Sequence, residues 1–327
     1  MQPTSTVTVP AQIGSERKFE GIIDVHSHAI VAIGEQAPMS PQPRWSAEAM
    51  LELMDTHGVA TALISLPNVA AGNDACALAR QMNEWLANLV SRYPGRFGAM
   101  ASLPQGSPDD VLNELAYALD TLHLDGVFTP SSINDVYLGD STFDPWFEEM
   151  DRRGVTLFIH PAAAKASHPL YLGLNVSLLE FMFDSTRMLT NMVFSGAKKR
   201  FARIKMISTH GGGTLPYLVT RLQTLAQVFG SGEGRAQLSE DEIREGLASF
   251  YYDLTAATSS AQLHAIQQLV PASQLLMGFD HPFMPERSIR PAIDDVRQWA
   301  GFDDSDLPLI ANGNASLLYP RLSRLAP

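Results

Sequence analysis

Gly21-Ile22-Ile23-Asp24-Val25-His26-Ser27-His28 opens the folded part of the chain, an apolar run that ends in two histidines spaced two residues apart. Side chains on a strand repeat every second residue, so Asp24, His26 and His28 are expected on one side, with Val25 and Ser27 on the other. The first strand of an open nucleotide-binding sheet runs into a glycine-rich phosphate turn. Here histidines stand in that place instead. Two imidazoles side by side in a core are costly without hydrogen bonds or a metal. The pair therefore reads as metal-ligating rather than as two satisfied core histidines.

The pattern set by this strand repeats downstream. Short apolar runs at Thr61–Leu66, Phe97–Leu103, Gly126–Thr129, Val155–His160, Ile204–His210, Phe250–Leu254 and Gln274–Asp280 alternate with segments of helical periodicity such as Ser46–His57 and Asp74–Tyr93. Eight βα units predict an α/β fold, a closed (β/α)8 TIM barrel of the metal-dependent hydrolase type, over residues 21–327 as one catalytic domain. The doubly wound open sheet is the rival architecture. Residues 1–20 are polar, hold two prolines and lack a period, and are expected to form a flexible N-terminal arm. Ala29 to Arg44, with three prolines, reads as a long loop over the barrel mouth.

Composition narrows the partners. The chain has 327 residues, 45% hydrophobic and 18% charged, enough for a large core. Its 23 basic and 35 acidic residues give a net charge of -12, which repels phosphate backbones and anionic membranes and favours a small-molecule partner. No run approaches the roughly 18 apolar residues of a membrane span, and no secretory signal layout is seen, so a soluble, cytoplasmic protein is expected. Cys76 is the only cysteine, so any metal must be held by nitrogen and oxygen.

Three further signals fall at predicted strand ends. His160 closes Val155–Ile159 and is followed by Pro161; taken alone it reads equally well as a satisfied polar residue. His210 precedes Gly211-Gly212-Gly213, which permit a sharp turn or a close backbone approach. Asp280 ends Leu275–Phe279 with no basic neighbour in sequence, and such a carboxylate wants a metal or a proton. Catalytic groups of barrels sit at the C-terminal ends of several strands, and here the first, fifth, sixth and eighth contribute. Such imidazoles and carboxylates on one divalent ion, with a position left open, make a catalytic site. Zinc is the first choice, and manganese accepts the same donors.

These residues resemble the amidohydrolase superfamily, in the branch typified by aminocarboxymuconate semialdehyde decarboxylase. The likeness rests on Asp24-x-His26-x-His28, His160-Pro161, His210-Gly-Gly-Gly, Gly278-x-Asp280-x-Pro282-Phe283 and Gly313-Asn314-Ala315. Pro43–Ala49 leading into Met54-Asp55, Tyr93–Gly98 and Leu179–Arg187 are similar to 6-methylsalicylate decarboxylase-like proteins. The resemblance implies metal ligands at His26, His28, His160 and Asp280, and a non-ligand, proton-handling histidine at His210. Leu124–Thr129 holds no counterpart of the lysine seen in binuclear relatives, so a mononuclear site follows, with Lys165 facing solvent. No organic cofactor is implied. Relatives of this branch tend to be dimers, so a homodimer is expected.

The implied activity is that of a carboxy-lyase, the non-oxidative decarboxylation of a small aromatic, hydroxybenzoate-type, or enol-type carboxylic acid. Asp280 or His210 would supply the proton. The alternative is a hydrolase of a lactone or amide, or a hydratase, because the same ion would lower the pKa of water from about 15.7 to about 7. A metal-stabilised binding protein without turnover is disfavoured by the open ligand position. Arg44 is a candidate for gripping an anionic substrate group, and Trp45 for stacking on the ring, although a tryptophan beside a helix start more often packs into the core. Asp184 and Arg187 are expected to pair with each other, His281 to stand behind the ligands, and His168 to lie in the loop after the fifth strand.

Overall fold

A computed structural model describes residues 17–33, 45–67, 70–162, 172–233 and 235–323. Eight parallel strands follow one another around a sheet: β1 (Ile22–His28), β2 (Val59–Ser65), β3 (Phe97–Ser102), β4 (Gly126–Pro130), β7 (Thr156–His160), β8 (Lys205–Ser208), β9 (Tyr251–Asp253) and β10 (Leu275–Leu276). A small antiparallel ribbon, β5 (Ser132–Ile133) with β6 (Val136–Tyr137), is inserted after β4. The sheet closes on itself where Val25 N–H donates to Met277 O at 2.9 Å and His28 N–H to His281 O at 2.8 Å. The expected TIM barrel is what the chain forms.

The strands are apolar nearly throughout because both faces are buried. Ile23 and Val25 (β1), Leu63 (β2), Met100 (β3), Phe128 (β4), Phe158 (β7), Ile207 (β8) and Leu276 (β10) fill the barrel interior. Outward-facing strand residues meet the helices, among them α1 (Ala47–His57), α2 (Ala75–Arg92), α3 (Pro108–Ala116), α4 (Asp144–Arg153), α5 (Glu180–Phe194), the short α6 (Ala197–Arg200), α7 (Leu215–Phe229), α8 (Glu240–Ala248), α9 (Ser260–Gln267) and α10 (Ile289–Gln298). Local chemistry sets their ends: Ser46 Oγ accepts from Ala49 N–H at the start of α1, and Gly58, at φ 74°, stops it. The C-terminal segment closes the floor of the barrel. Ala315, Leu318, Tyr319 and Leu322 pack on the interior residues, Thr156 Oγ1 donates to Leu318 O at 2.9 Å, and Arg321 pairs with the buried Asp125 at 2.6 Å. With an apolar floor below, buried polar chemistry is left to the opposite end.

Two sequence expectations need correction here. The arm expected to reach Glu20 is already docked at Arg17, which donates to Asp304 Oδ1 at 2.9 Å and Arg297 O at 3.0 Å, and Phe19 is buried in the core. Strict alternation along β1 also fails. Its register against β2 shifts between Asp24 and Ser27, so His26 and His28 reach the site on the interior side that Ile23 and Val25 already face. Asp24 does not share their side; its carboxylate accepts from Ser27 Oγ at 2.5 Å and from the N–H groups of His26 at 2.9 Å and Phe279 at 3.2 Å, which satisfies the backbone freed by the bulge.

Candidate metal centre

The C-terminal ends of β1, β7 and the segment after β10 bring His26, His28, His160 and Asp280 together, with one ligand atom from each lying within 4.8 Å of all the others. The ring centroids of His26, His28 and His160 are 5.1–5.3 Å apart and their planes nearly perpendicular. Each imidazole has its Nδ1 engaged. His26 Nδ1 meets Asp253 Oδ2 at 2.8 Å, His28 Nδ1 meets Ser65 Oγ at 2.8 Å, and His160 Nδ1 meets Pro161 O at 2.9 Å. When Nδ1 donates, Nε2 is left with a lone pair, and such outer partners orient metal-binding histidines. Nε2 of His26, Nε2 of His28 and Oδ1 of Asp280 are buried without a hydrogen-bond partner. Orphaned polar atoms of this kind are expensive, and three imidazoles with one carboxylate are a donor set that a divalent cation satisfies.

The electrostatics agree. Burial opposes a charge on His26, yet the carboxylates of Asp253 and Asp280 beside it hold its pKa up at about 10. Burial likewise resists ionisation of Asp280, but His26 and His28 pull it well below the usual carboxylate range. His28, His160 and His210 are pushed down by burial and so stay neutral. Without an ion, the pocket is therefore a cationic His26 between two carboxylates.

His210 comes to the same place from the turn after β8. Its ring lies 5.0 Å from that of His26 and 5.6 Å from that of His160, and its Nδ1 is buried without a partner. His210 and Asp280 both adopt left-handed backbone, at φ 54° and 53°. For residues with a side chain this is uncommon and concentrates at functional sites. The three glycines after His210 have packing reasons: a Cβ on Gly213, at φ 67°, would stand 2.1 Å from Met182 O. Gly278 plays the same part near Asp280, since a Cβ there would meet Thr255 Oγ1 at 2.5 Å and His26 Cβ at 2.8 Å.

Aromatic rings surround the imidazoles. Phe283 lies edge-on to His28 at 5.3 Å, Phe181 edge-on to His160 at 5.6 Å, and Phe128 6.1 Å from both. Trp45 is not among them. It packs against Trp85 and Phe97 on the outer side of the sheet, at 5.7 and 6.4 Å, as a core tryptophan does. Arg44, Lys165 and His168 lie outside the described residues. Asp184 and Arg187 do not pair as expected. Asp184 accepts from Ser131 Oγ, from Tyr137 OH at 2.7 Å and from Ala162 N–H at 3.0 Å, tying the β5–β6 ribbon and the segment after β7 to α5, while Arg187 lies over the Phe183 ring. His281 stands behind the ligands through its carbonyl, which accepts from His28 N–H.

Sequence reasoning missed Asp253. It ends β9, is fully buried, and meets His26 Nδ1 as well as the N–H groups of His210 at 2.9 Å and Thr255 at 3.0 Å. The signal was present, a carboxylate closing the apolar run Phe250–Tyr252, the same position logic that picked out Asp280.

The amidohydrolase family model matches residues 23–321. A decarboxylase of Penicillium terrestre is 31% identical over 91% of this chain and 95% of its own length. The 6-methylsalicylic acid decarboxylase of Penicillium expansum is 29% identical over 92% of this chain and 96% of its own length. Among solved structures, 5-carboxyvanillate decarboxylase from Sphingomonas paucimobilis superposes with a TM-score of 0.79 at 22% identity, covering 93% of this chain and 99% of that one. A dihydroxybenzoic acid decarboxylase from Polaromonas, solved with bound manganese and 2-nitroresorcinol, gives a TM-score of 0.79 at 22% identity over 92% of this chain and 97% of that one.

Proposed function

The chain belongs to the amidohydrolase family, and from that membership we propose that it decarboxylates a small aromatic or enol-type acid without oxidation, releasing carbon dioxide at a single divalent metal. The observation that carries this reading is the buried convergence of His26, His28, His160 and Asp280, all three imidazoles having Nδ1 engaged. The choice of decarboxylation over hydrolysis is supported by whole-length similarity to decarboxylases. Zinc is the proposed ion, with manganese next, as the Polaromonas enzyme holds.

When bound, the ion supplies positive charge against the substrate carboxylate and a neighbouring hydroxyl or carbonyl oxygen. The residues supply the rest. Asp280 carries a proton, taken from solvent or from the substrate hydroxyl, to the ring carbon that bears the carboxylate. The bond from that carbon to the carboxylate then breaks, its electron pair restores the aromatic ring, and carbon dioxide leaves; no electrons pass to another molecule. His210, held neutral by burial and with Nδ1 unpartnered, polarises a substrate oxygen or positions water. Phe181 and Phe283 wall the mouth with apolar edges that suit an aromatic ring and exclude water. Arg44 is proposed to grip an anionic group of the substrate.

A homodimer is proposed on the exposed apolar side chains of α7, Tyr217, Val228 and Phe229, together with Leu172 and Leu178 before α5. A reducing, cytoplasmic setting is proposed from the single exposed thiol of Cys76; no described helix is long and apolar enough to cross a membrane.

The test is metal content of the purified protein, then loss of a hydroxybenzoate panel that includes 6-methylsalicylate, with carbon dioxide detection. About one ion per chain with carbon dioxide release supports the reading. A loaded protein silent on acids and active on lactones or amides moves it to hydrolysis.

A further inference from the structure

We infer that Asp253 is a positioning residue that ties the metal ligand His26 to the proton-handling His210, one carboxylate setting the tautomer of the first and the place of the second. The inference rests on the metal-centre reading above. Asp253 is fully buried, and both of its oxygens are committed. Oδ2 lies 2.8 Å from His26 Nδ1, while Oδ1 accepts from His210 N–H at 2.9 Å and Thr255 N–H at 3.0 Å. The other two ligand histidines have partners that serve one ring each, Ser65 Oγ for His28 and the Pro161 carbonyl for His160. Only Asp253, among the described residues, bonds both a ligand side chain and the backbone of His210.

The chemistry of the carboxylate makes the double role specific. Facing three N–H donors, it needs acceptors on both oxygens. An asparagine in its place would have one acceptor oxygen and one NH2 donor. If its oxygen kept the two backbone N–H groups, the NH2 would face His26 Nδ1, and that nitrogen would have to become the acceptor. The proton would then sit on Nε2, the atom that should ligate. With the amide reversed, the NH2 would confront two backbone donors, and the His210 turn, held at φ 54°, would lose its anchor. Either arrangement damages one of the two functions.

The experiment compares the full chain with Asp253→Asn and Ser65→Ala. It measures zinc affinity by chelator competition and backbone hydrogen exchange across residues 205–214 by mass spectrometry, neither of which requires the substrate to be known. Outer-partner loss typically weakens metal binding about 10- to 100-fold. The expected result is zinc affinity reduced about 10- to 100-fold in Asp253→Asn with faster exchange in the His210 turn, and reduced affinity in Ser65→Ala with exchange unchanged. Asp253→Asn that binds zinc like the parent, or that loses affinity while the His210 turn stays as protected as before, overturns the double role. If Asp253→Asn does not fold, long-range nitrogen NMR of the zinc-loaded parent decides the tautomer: ligation of His26 through Nε2 with the proton on Nδ1 is expected, and ligation through Nδ1 overturns it. A parent chain that binds neither zinc nor manganese sinks the metal centre itself, which separates that failure from this one.

Discussion

Asp280 Oδ1 lies 3.1 Å from His28 Nε2, and neither atom finds a hydrogen-bond partner. Both belong to the four-residue group that could hold a metal, and under the proposed function the carboxylate has a second task, carrying a proton to the substrate carbon. Asp280→Asn keeps the shape and one oxygen for an ion but cannot deliver a proton. Decarboxylation is expected to fall about 10²- to 10⁴-fold at saturating metal, the usual contribution of general acid catalysis. Steady-state carbon dioxide release alongside metal analysis checks it; full activity with metal retained would transfer the proton role to His210.

Removing the ion should destabilise the chain as well as silence it. An ion that binds the folded state and not the unfolded one adds stability in proportion to the logarithm of its free concentration over its Kd, about 2.7 kcal/mol at a hundredfold excess. Chelated protein is expected to melt several degrees lower than loaded protein and to recover on adding back zinc or manganese. Differential scanning with and without the ion reads this directly. Identical melting curves would argue against a buried site.

How much of this was legible beforehand follows physical lines. The barrel showed because eight strands buried on both faces leave eight apolar runs, and helical periodicity between them is hard to mistake. The candidate ligands showed because a strand end places them, so His160 and Asp280 could be singled out one strand at a time. The bulge in β1 did not show. An alternating pattern gives no sign of an extra residue, and it is the register shift against β2 between Asp24 and Ser27 that reveals it. Asp253 carried the same local signal as Asp280, a carboxylate closing an apolar run, but its role shows only through partners 227 and 43 residues away, His26 and His210. Trp45 was legible only as a choice between packing and stacking, which its neighbours Trp85 and Phe97 decide.

Metal binding should release a proton at neutral pH. In the ion-free pocket His26 is held cationic up to about pH 10 by Asp253 and Asp280, in spite of burial. A ligand imidazole must give up the proton on the atom it ligates with. Zinc uptake between pH 7 and 8 is therefore expected to release about one proton from this histidine and to tighten as pH rises. Calorimetry in buffers of different ionisation heat counts the protons; a pH-independent affinity would contradict the His26 assignment.

The same group sets the sign of the stability profile of the chelated chain. His26 has a folded pKa of about 10 against an ordinary value of 6.5, so the stability it contributes is fully present below about 6.5 and is lost as pH rises towards 10. Lys198 works in the other direction at higher pH, because burial lowers its ammonium to about 8 from 10.5, so stability rises with its deprotonation between those values. The decline due to His26 is therefore read between pH 7 and 8, as a falling denaturant midpoint of the metal-free protein. A midpoint that rises over that interval would contradict it.

Gly213→Ala tests whether the turn after His210 is held by packing. The glycine sits at φ 67°, where side chains are rarely tolerated, and an added Cβ would stand 2.1 Å from Met182 O at the start of α5. That carbonyl belongs to backbone, so relief requires α5 or the turn to move, and the turn carries His210. A loss of about 3 kcal/mol is expected, at the upper end of what a strained backbone position costs, read as a shift in denaturant midpoint with an unchanged slope. Activity should fall further than stability explains, because the shift displaces the His210 ring from its 5.0 Å contact with His26. A variant as stable and as active as the parent would mean that the turn is free to relax and that the position of His210 is fixed from elsewhere.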